Sequence, residues 1–160
     1  MRFTISCIGR MKAGADKDLF DRYLDRARKI GRGLGVTAVA LAESPESRAQ
    51  KPDDRKSEEA SVLLNSLPSG AKLVVLDEHG KPLSSPDFSR KLESWKDEGV
   101  QDVVFAIGGA DGHGSELIAR ADLKIAFGAM TWPHQLVRIL LSEQIYRALT
   151  IQAGHPYHRD

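Results

Sequence analysis

The stretch DVVFAIGG, residues 102–109, decides the fold class of this chain. Its apolar residues follow one another almost without a polar break, which is typical of a strand covered on both faces rather than on one. The run KLVVLD, residues 72–77, has the same character. Strands of this kind occur in parallel sheets that carry helices on both faces. The two stretches therefore predict an α/β protein.

Three further apolar runs extend the pattern in both directions: FTISCIG (3–9), VTAVAL (36–41) and LKIAF (123–127). Segments with helical spacing separate the five runs, at about 15–32, 53–66, 87–98, 114–121 and from Pro133 to about Thr150. Strand and helix thus alternate five times, which predicts a mostly parallel sheet of about five strands with helices on both faces. We expect residues 1–160 to form a single domain.

Composition excludes several classes of protein. Hydrophobic residues make up 41% and charged residues 28% of the 160 residues, as in ordinary globular proteins, and no apolar run approaches the roughly 18 residues of a membrane span. The N-terminus alternates like a strand and has no secretory signal, so we expect a cytoplasmic protein without a membrane segment. The lone Cys7 cannot form an internal disulfide, and we give it no role.

The net charge of +1 gives no general positive field of the kind that attracts nucleic acid. Any contact with RNA must therefore come from local clusters, and the sequence offers two. One lies in the first helical segment and one follows the second strand: Arg22, Arg26, Arg28, Lys29 and Arg32, and Arg48, Lys51, Arg55 and Lys56. Both clusters also contain acidic residues nearby, so each could equally be a solvated helix face.

The last predicted helix has apolar residues on more than one face, namely Leu136, Val137, Ile139, Leu140, Leu141, Ile145, Ala148 and Leu149. So wide a stripe needs burial on two sides, one of which could be a second subunit, and this predicts a homodimer. Glu143 and Arg147 stand four residues apart and should pair. Arg138 has no such partner on the helix, so it points either to water or to a ligand.

Three predicted strands end in segments suited to ligand binding. IGGADGHG (107–114) and FGAMTWPH (127–134) each lie between a strand and a helix, and VVLDEHGKP (74–82) runs past a third strand end. Open α/β sheets bind ligands at the carboxyl ends of their strands, so the three segments could form one pocket. Because they are mostly small or apolar, they suit an adenine-bearing ligand held by main-chain groups. The glycines follow the fourth strand rather than the first, which argues against a Rossmann oxidoreductase.

The chain ends in GHPYHRD, residues 154–160, a group of residues with more chemical capacity than an ordinary tail. A metal site at His134, His155 and His158 would need interleaved Cys, Asp or Glu at ligand spacing, and none is present, so we expect no metal. The glycine-flanked serine of a Ser-His-Asp hydrolase is also missing.

The segment MTWPHQLVRILLSEQIYRALTIQAGHPYHR, together with IGGADG and LDEHGKP before it, resembles the RlmH family of bacterial SPOUT-class ribosomal RNA methyltransferases. The resemblance covers essentially the whole chain and implies a SPOUT fold with a C-terminal trefoil knot. It also implies methylation of N3 of a pseudouridine in large-subunit (23S) ribosomal RNA, with S-adenosyl-L-methionine as the methyl donor. The family acts as a homodimer on the assembled ribosome.

Matching positions imply the cofactor-binding residues Leu76, Gly108, Phe127, Gly128, Ala129, Met130, Thr131 and Trp132. One position departs from the family, since Ala110-Asp111 stands where a Pro-Glu pair is common. We expect this to change the rigidity of the glycine loop without abolishing cofactor binding, because the flanking glycines are kept.

The reaction assigns roles to the tail. The imide N3 of the target must lose a proton before it becomes a good nucleophile, and His158 is our preferred base. Arg159 and Arg138 would stabilise the deprotonated ring or hold phosphate, Tyr157 would stack on the nucleotide, and His155 and Arg159 would contact RNA. Two alternatives remain open from sequence: an α/β enzyme acting on a small nucleotide-like molecule, and a ribosome-binding module without catalysis.

Overall fold

A computed structural model describes residues 1–159, in which five strands and five helices alternate strictly. One short 3-10 turn follows the first helix. The elements are β1 (Arg2–Ile8), α1 (Ala15–Gly31), β2 (Ala38–Ser44), α2 (Pro52–Asn65), β3 (Lys72–Pro82), α3 (Ser85–Asp97), β4 (Asp102–Ile107), α4 (Ser115–Arg120), β5 (Leu123–Ala126) and α5 (His134–Gln152). The predicted order of elements is confirmed.

The strands form one sheet in the order β2-β1-β4-β3-β5, and every neighbouring pair is parallel. All six residues of β4 are buried, as its unbroken apolar sequence predicts. The expected α/β class is therefore confirmed. The trefoil knot stays a prediction of the family resemblance.

Helices cover both faces of the sheet and create two separate cores. On one face α5 packs between α1 and α3, and the larger core includes Phe20, Phe88 and Ile145. On the other face α2 packs against α4 over a smaller core that includes Leu63 and Leu117. Of the helices within residues 1–159, none is long and apolar enough to span a bilayer.

The strands that differ most from their predicted bounds are β2 and β3, and β2 ends at Ser44 rather than at residue 41. β2 begins at Ala38 rather than residue 36, because Val36 packs against Gly31 at the end of α1, where an added Cβ would lie 3.1 Å from the valine side chain. β3 continues to Pro82 rather than ending at residue 77. Its pairing with β5 is interrupted after Leu76 and resumes at Lys81, which gives this strand a bulge. The polar residues of the bulge do not resemble a buried strand, and the prediction therefore stopped too early.

The ends of the helices follow local chemistry, with one correction. A capping hydroxyl just before a proline predicts Ser85 as the cap of α3, but the hydroxyl that caps the helix belongs to Ser84, which accepts a hydrogen bond from the backbone N–H of Asp87. Pro133 precedes α5 at its N-cap position. The predicted pair within that helix is confirmed, since Arg147 Nη2 lies 2.6 Å from Glu143 Oε1.

The wide apolar stripe of α5 is largely explained within one chain, because the helix packs against both α1 and α3. Leu136, at the beginning of α5, stays 39% exposed, and Met130 and Trp132 just before the helix are 75% and 41% exposed. Three of the four large apolar side chains that are exposed therefore lie together at the N-terminal end of α5, and the fourth is Val62 of α2.

Candidate cofactor and active site

A cavity of about 420 Å³ opens at the carboxyl ends of β3, β4 and β5. Its walls are the three segments that were predicted to form one pocket: the end of β3, the glycine loop after β4 and the loop after β5. Seven of the eight predicted cofactor residues line it, Leu76, Gly108, Phe127, Gly128, Met130, Thr131 and Trp132, whereas Ala129 does not. The structure thus brings together three segments that whole helices separate along the chain.

The loop after β5 is closed by its own hydrogen bonds. The indole Nε1 of Trp132 donates to the carbonyl of Phe127 over 3.0 Å. The hydroxyl of Thr131 donates to Glu78 Oε2 over 3.0 Å, which ties this loop to the polar bulge of β3. Gly128 has a φ of +98°, a conformation that favours glycine. The sequence therefore gives this loop a fixed shape around the cavity.

His113 joins the glycine loop to β3 across the cavity wall. Its Nε2–H donates to the carbonyl of Leu76 over 2.9 Å. Burial lowers the pKa of His113, although the Leu76 carbonyl and the nearby Asp77 carboxylate oppose that shift. The imidazole is therefore neutral at pH 7 and acts here as a hydrogen-bond donor. The sequence does not predict this role, because a histidine among glycines gives no sign of which carbonyl it will reach.

Arg55 of α2 holds the outer side of the glycine loop. Its Nε and Nη2 bind the two carboxylate oxygens of Asp111 over 2.6 and 3.1 Å, and its Nη1 donates to the carbonyls of Ala49 and Gln50. The guanidinium keeps the pKa of Asp111 below its usual value through this hydrogen bond. Arg55 is therefore a structural link and not a member of a solvated helix face, as it could have been from sequence.

Arg138 is buried, with 1% of its side chain exposed, so the expectation that it might point to water is wrong. Its Nη1 lies 3.1 Å from Glu43 Oε1, and its Nη2 donates to the carbonyls of Ile8 and Gly9 over 2.7 and 3.1 Å. The guanidinium thus grips the carboxyl end of β1. Arg138 is not among the described residues that line the cavity, although its neighbour Val137 is.

The tail folds back onto α5. The hydroxyl of Tyr157 donates to Glu143 Oε1 over 2.9 Å, and its ring lies 4.6 Å from that of Tyr146 and 4.8 Å from the guanidinium of Arg147. Nη1 of Arg147 is 3.2 Å from Nδ1 of His158. Burial and the bond to Glu143 raise the pKa of Tyr157, so the phenol keeps its proton at any physiological pH.

The tail and the cavity of the same chain do not meet. None of His155, Tyr157, His158 and Arg159 is among the described residues that line the cavity. Val137 is the last residue of α5 at the cavity, and Arg147, which holds the tail, lies about 15 Å further along the helix by its rise of about 1.5 Å per residue. The predicted site residues therefore form two groups at different positions along α5.

The cavity suits an organic ligand better than a metal. Within residues 1–159 there is no group of three or more His, Cys, Asp or Glu side chains placed to hold a metal ion. The lining instead combines apolar walls, main-chain groups of the glycine loop and the carboxylates of Asp77 and Glu78. A volume of this size lies within the range of small-ligand pockets. These features define an α/β protein with a cleft suited to a small organic ligand at the carboxyl edge of its parallel sheet.

The chain belongs to the SPOUT methyltransferase family. The family described as "Predicted SPOUT methyltransferase" matches residues 1–158. Similar proteins named Ribosomal RNA large subunit methyltransferase H occur in Chelativorans sp. (52% identical, covering 100% of this chain and 92% of the relative) and in Xanthobacter autotrophicus (50% identical, covering 99% of both). A protein of the same name from Nitrobacter hamburgensis is 53% identical over 99% of both chains. The resemblance to the RlmH family is thereby confirmed.

Proposed function

We propose that this protein methylates N3 of a pseudouridine in 23S ribosomal RNA, using S-adenosyl-L-methionine, as a cytoplasmic homodimer that acts on the assembled ribosome. The observation that carries the proposal is the division of the site: a ligand-sized cavity at the sheet edge, and a tail of proton-handling and stacking residues about 15 Å further along α5. The names of the similar proteins support large-subunit ribosomal RNA as the substrate.

The cavity residues fit the cofactor by their chemistry. Apolar walls at Leu76 and Phe127 suit an adenine ring, and the main chain at Gly108 is accessible because glycine has no side chain. The carboxylates of Asp77 and Glu78 would balance the positive charges of a sulfonium and an amino group. When bound, S-adenosyl-L-methionine supplies an activated methyl group. Because His113 is neutral, it adds no positive charge that would oppose such a ligand.

The tail supplies the groups that act on the RNA. We assign His158 as the base that accepts the N3 proton of the target, with Arg159 stabilising the negative charge left on the ring. Tyr157 keeps its proton, and we therefore assign it to stacking and positioning rather than to base catalysis. His155 accepts a hydrogen bond from the backbone N–H of Tyr157, which shapes the tail, and contacts RNA together with Arg159.

We propose that the tail of one subunit completes the cavity of the other. The separation of tail and cavity within one chain favours this arrangement over a site formed by a single subunit. The exposed Met130, Trp132 and Leu136 lie at the cavity mouth and at the start of α5, where a partner that brings its tail to the cavity would cover them.

Arg138 has a different part in this proposal from the one that sequence suggested. Its guanidinium is engaged by Glu43 and by two carbonyls of β1, so we assign it to positioning: it fixes the N-terminal half of α5, which carries His134 and Val137 at the cavity.

Mixing two inactive variants tests the proposal. A Gly108→Ala variant places a Cβ 3.1 Å from the main chain of Gly112 and should lose cofactor binding, whereas a chain ending at Ala153 should keep it. Each alone should fail to transfer labelled methyl to ribosomes. Mixed under conditions of subunit exchange, they should regain activity at the intact cavity of the truncated subunit. If the truncated chain alone transfers methyl at the full rate, the tail has no catalytic role. If exchanged dimers form but stay inactive, the tail of one subunit does not complete the cavity of the other.

A further inference from the structure

Two loops beside the cavity carry positive charges that nothing within the described chain neutralises. Residues 9–14 follow β1 and include Arg10 and Lys12, and residues 45–51 follow β2 and include Arg48 and Lys51. All four side chains are exposed. Within residues 1–159 none of them forms an ion pair or a side-chain hydrogen bond, whereas the neighbouring Arg55 and Lys56 of α2 are paired with Asp111 and Asp53.

The main chain of both loops is nevertheless held firmly. In the first loop, Arg138 binds the carbonyl of Gly9 and Glu43 accepts the backbone N–H of Met11 over 2.8 Å. In the second loop, the buried Glu59 accepts the N–H of Ser47 over 2.9 Å, and Arg55 binds two further carbonyls. Arg138, Glu43, Glu59 and Arg55 thus hold the main chain of the two loops, and the four basic side chains stay exposed to solvent.

The two loops are continuous with each other and with the glycine loop. A Cβ added at Gly9 would lie 3.0 Å from Glu46 Oε1, so the first and second loops are in contact. A Cβ at Gly109 would lie 3.2 Å from both Ile8 and Glu59, which places the glycine loop against the end of β1 and against the glutamate that holds the second loop. Lys56, one turn into α2, lines the cavity itself. The four cations therefore stand on the same edge of the sheet as the cofactor cavity.

The other basic cluster, on α1, has a different position. Arg28 is paired with Asp25 and donates to the carbonyl of Val39, and Arg26 lies over the rings of Tyr23 and Tyr146. Arg32 follows α1, at the opposite edge of the sheet from the cavity, because a helix after a parallel strand runs back along that strand. The structure therefore distinguishes the two clusters that were equivalent in the sequence.

We propose that loops 9–14 and 45–51 form an RNA-docking rim, in which Arg10, Lys12, Arg48 and Lys51 bind phosphates of ribosomal RNA next to the target nucleotide. The inference rests on the proposed function and adds to it the surface by which the RNA is held. Phosphate backbone is the partner because the four charges are compact, exposed and mounted on a rigid main chain, with few apolar residues between them to suit a protein partner.

Kinetics with ribosomes as substrate test the rim. An Arg48→Ala/Lys51→Ala variant and an Arg10→Ala/Lys12→Ala variant should each raise KM for ribosomes about tenfold, with kcat and cofactor affinity unchanged. A plot of log KM against the logarithm of the salt concentration should also be less steep for each variant, by roughly 0.7 to 0.9 in slope for every phosphate that the variant no longer binds. The matched control is Lys29→Ala/Arg32→Ala, which removes the same charge from α1. An unchanged KM in the loop variants, or an equal rise in the control, would overturn the proposal.

Cross-linking identifies the class of partner. Cys7 is the single cysteine of the chain and is buried, with burial raising the pKa of its thiol to about 12, so a cysteine introduced by Lys51→Cys can be labelled selectively with a photo-reactive group. We expect cross-links to 23S RNA from position 51, and far fewer from a Lys29→Cys control. Cross-links to ribosomal protein alone would show that the rim docks on protein and would refute the proposal.

Different experimental results would refute the docking rim and the proposed function. If the unaltered protein bound the cofactor but transferred no methyl to ribosomes, the proposed function would be lost, whereas sedimentation with ribosomes would still report on docking. If the parent and the two loop variants co-sediment equally with ribosomes, the proposed docking rim is refuted, whereas the proposed methyl transfer is not affected.

Discussion

Arg55 of α2 and Asp111 of the glycine loop form a two-bond ion pair, with nitrogen to oxygen distances of 2.6 and 3.1 Å, at a site where both side chains are about a quarter exposed. Asp111 belongs to the Ala110-Asp111 pair that departs from the Pro-Glu common in the family. The loop that lacks the rigid proline is thus fixed from outside by a bond to a neighbouring helix.

Removing this bond should loosen the cofactor cavity without unfolding the protein. We expect Arg55→Gln to weaken S-adenosyl-L-methionine binding several-fold, because the loop would have to be ordered upon binding. Isothermal titration calorimetry measures the change, with Arg22→Gln, an exposed arginine on α1, as the matched control. An unaltered Kd in the Arg55 variant would mean that the glycine loop keeps its shape without the pair.

His113 should make part of the stability depend on pH. Because burial lowers its pKa in the folded protein, the unfolded chain binds a proton more readily, and stability is complete above the ordinary histidine pKa of about 6.5 and falls as the pH drops below it. His113→Gln keeps an N–H for the Leu76 carbonyl but cannot titrate. Denaturant unfolding at about pH 7.5 and about pH 5.5 should show a smaller loss of stability in this variant than in the parent. The same pH dependence in both proteins would contradict the assignment.

The buried guanidinium of Arg138 should contribute strongly to the stability of the fold. Arg138→Met leaves the Glu43 carboxylate with the Met11 N–H but without a positive partner, and it removes the side-chain donor of two carbonyls. We expect a loss of about 3 kcal/mol, the lower end of the range for such changes, because Glu43 is 23% exposed. Adding Glu43→Gln should recover part of the loss, because the unpaired charge is then removed. The free energy of unfolding of both variants checks this, and a double variant no more stable than the single one would count against a charge effect.

Gly80 lies in the bulge of β3 against the backbone of Ile125 in β5, and it should not tolerate a side chain. An added Cβ would stand 2.6 Å from the carbonyl carbon and 2.8 Å from the amide nitrogen of Ile125, which are backbone atoms that cannot rotate away. Gly80→Ala should therefore cost about 3 kcal/mol, at the upper end for overpacking. Gly33→Ala, where nothing lies within 4 Å, is the control and should unfold at the temperature of the parent.

The fold was predictable because its information is local. Each buried strand is an apolar run between segments of helical spacing, and five such units in alternation have few arrangements other than a parallel sheet. The errors occur where a tertiary contact overrides the local pattern. Val36 is apolar but packs against Gly31, and β3 pairs with β5 through Lys81 and Pro82, which no hydrophobic pattern marks as strand.

The candidate site was predictable only in part. The cavity loops could be grouped because parallel strands end at one edge, which is a general property of the fold. The partners of Arg138 and Arg55 could not be found, since Glu43 and Asp111 lie 95 and 56 residues away and no spacing rule connects them. The helix α5 ends in a turn of the kind that a glycine specifies, with Gly154 at a φ of +63°, but no spacing rule connects Tyr157 beyond that turn with Glu143.

The two cores on opposite faces of the sheet have a consequence for how such a protein can evolve. The glycine loop rests on α2 and the smaller core, whereas the tail rests on α5 and the larger one. Substitutions beneath one part of the site do not require compensating changes beneath the other, since distant sites contribute independently to stability. A lineage can therefore remodel the glycine loop and the tail in separate steps, each selected on its own.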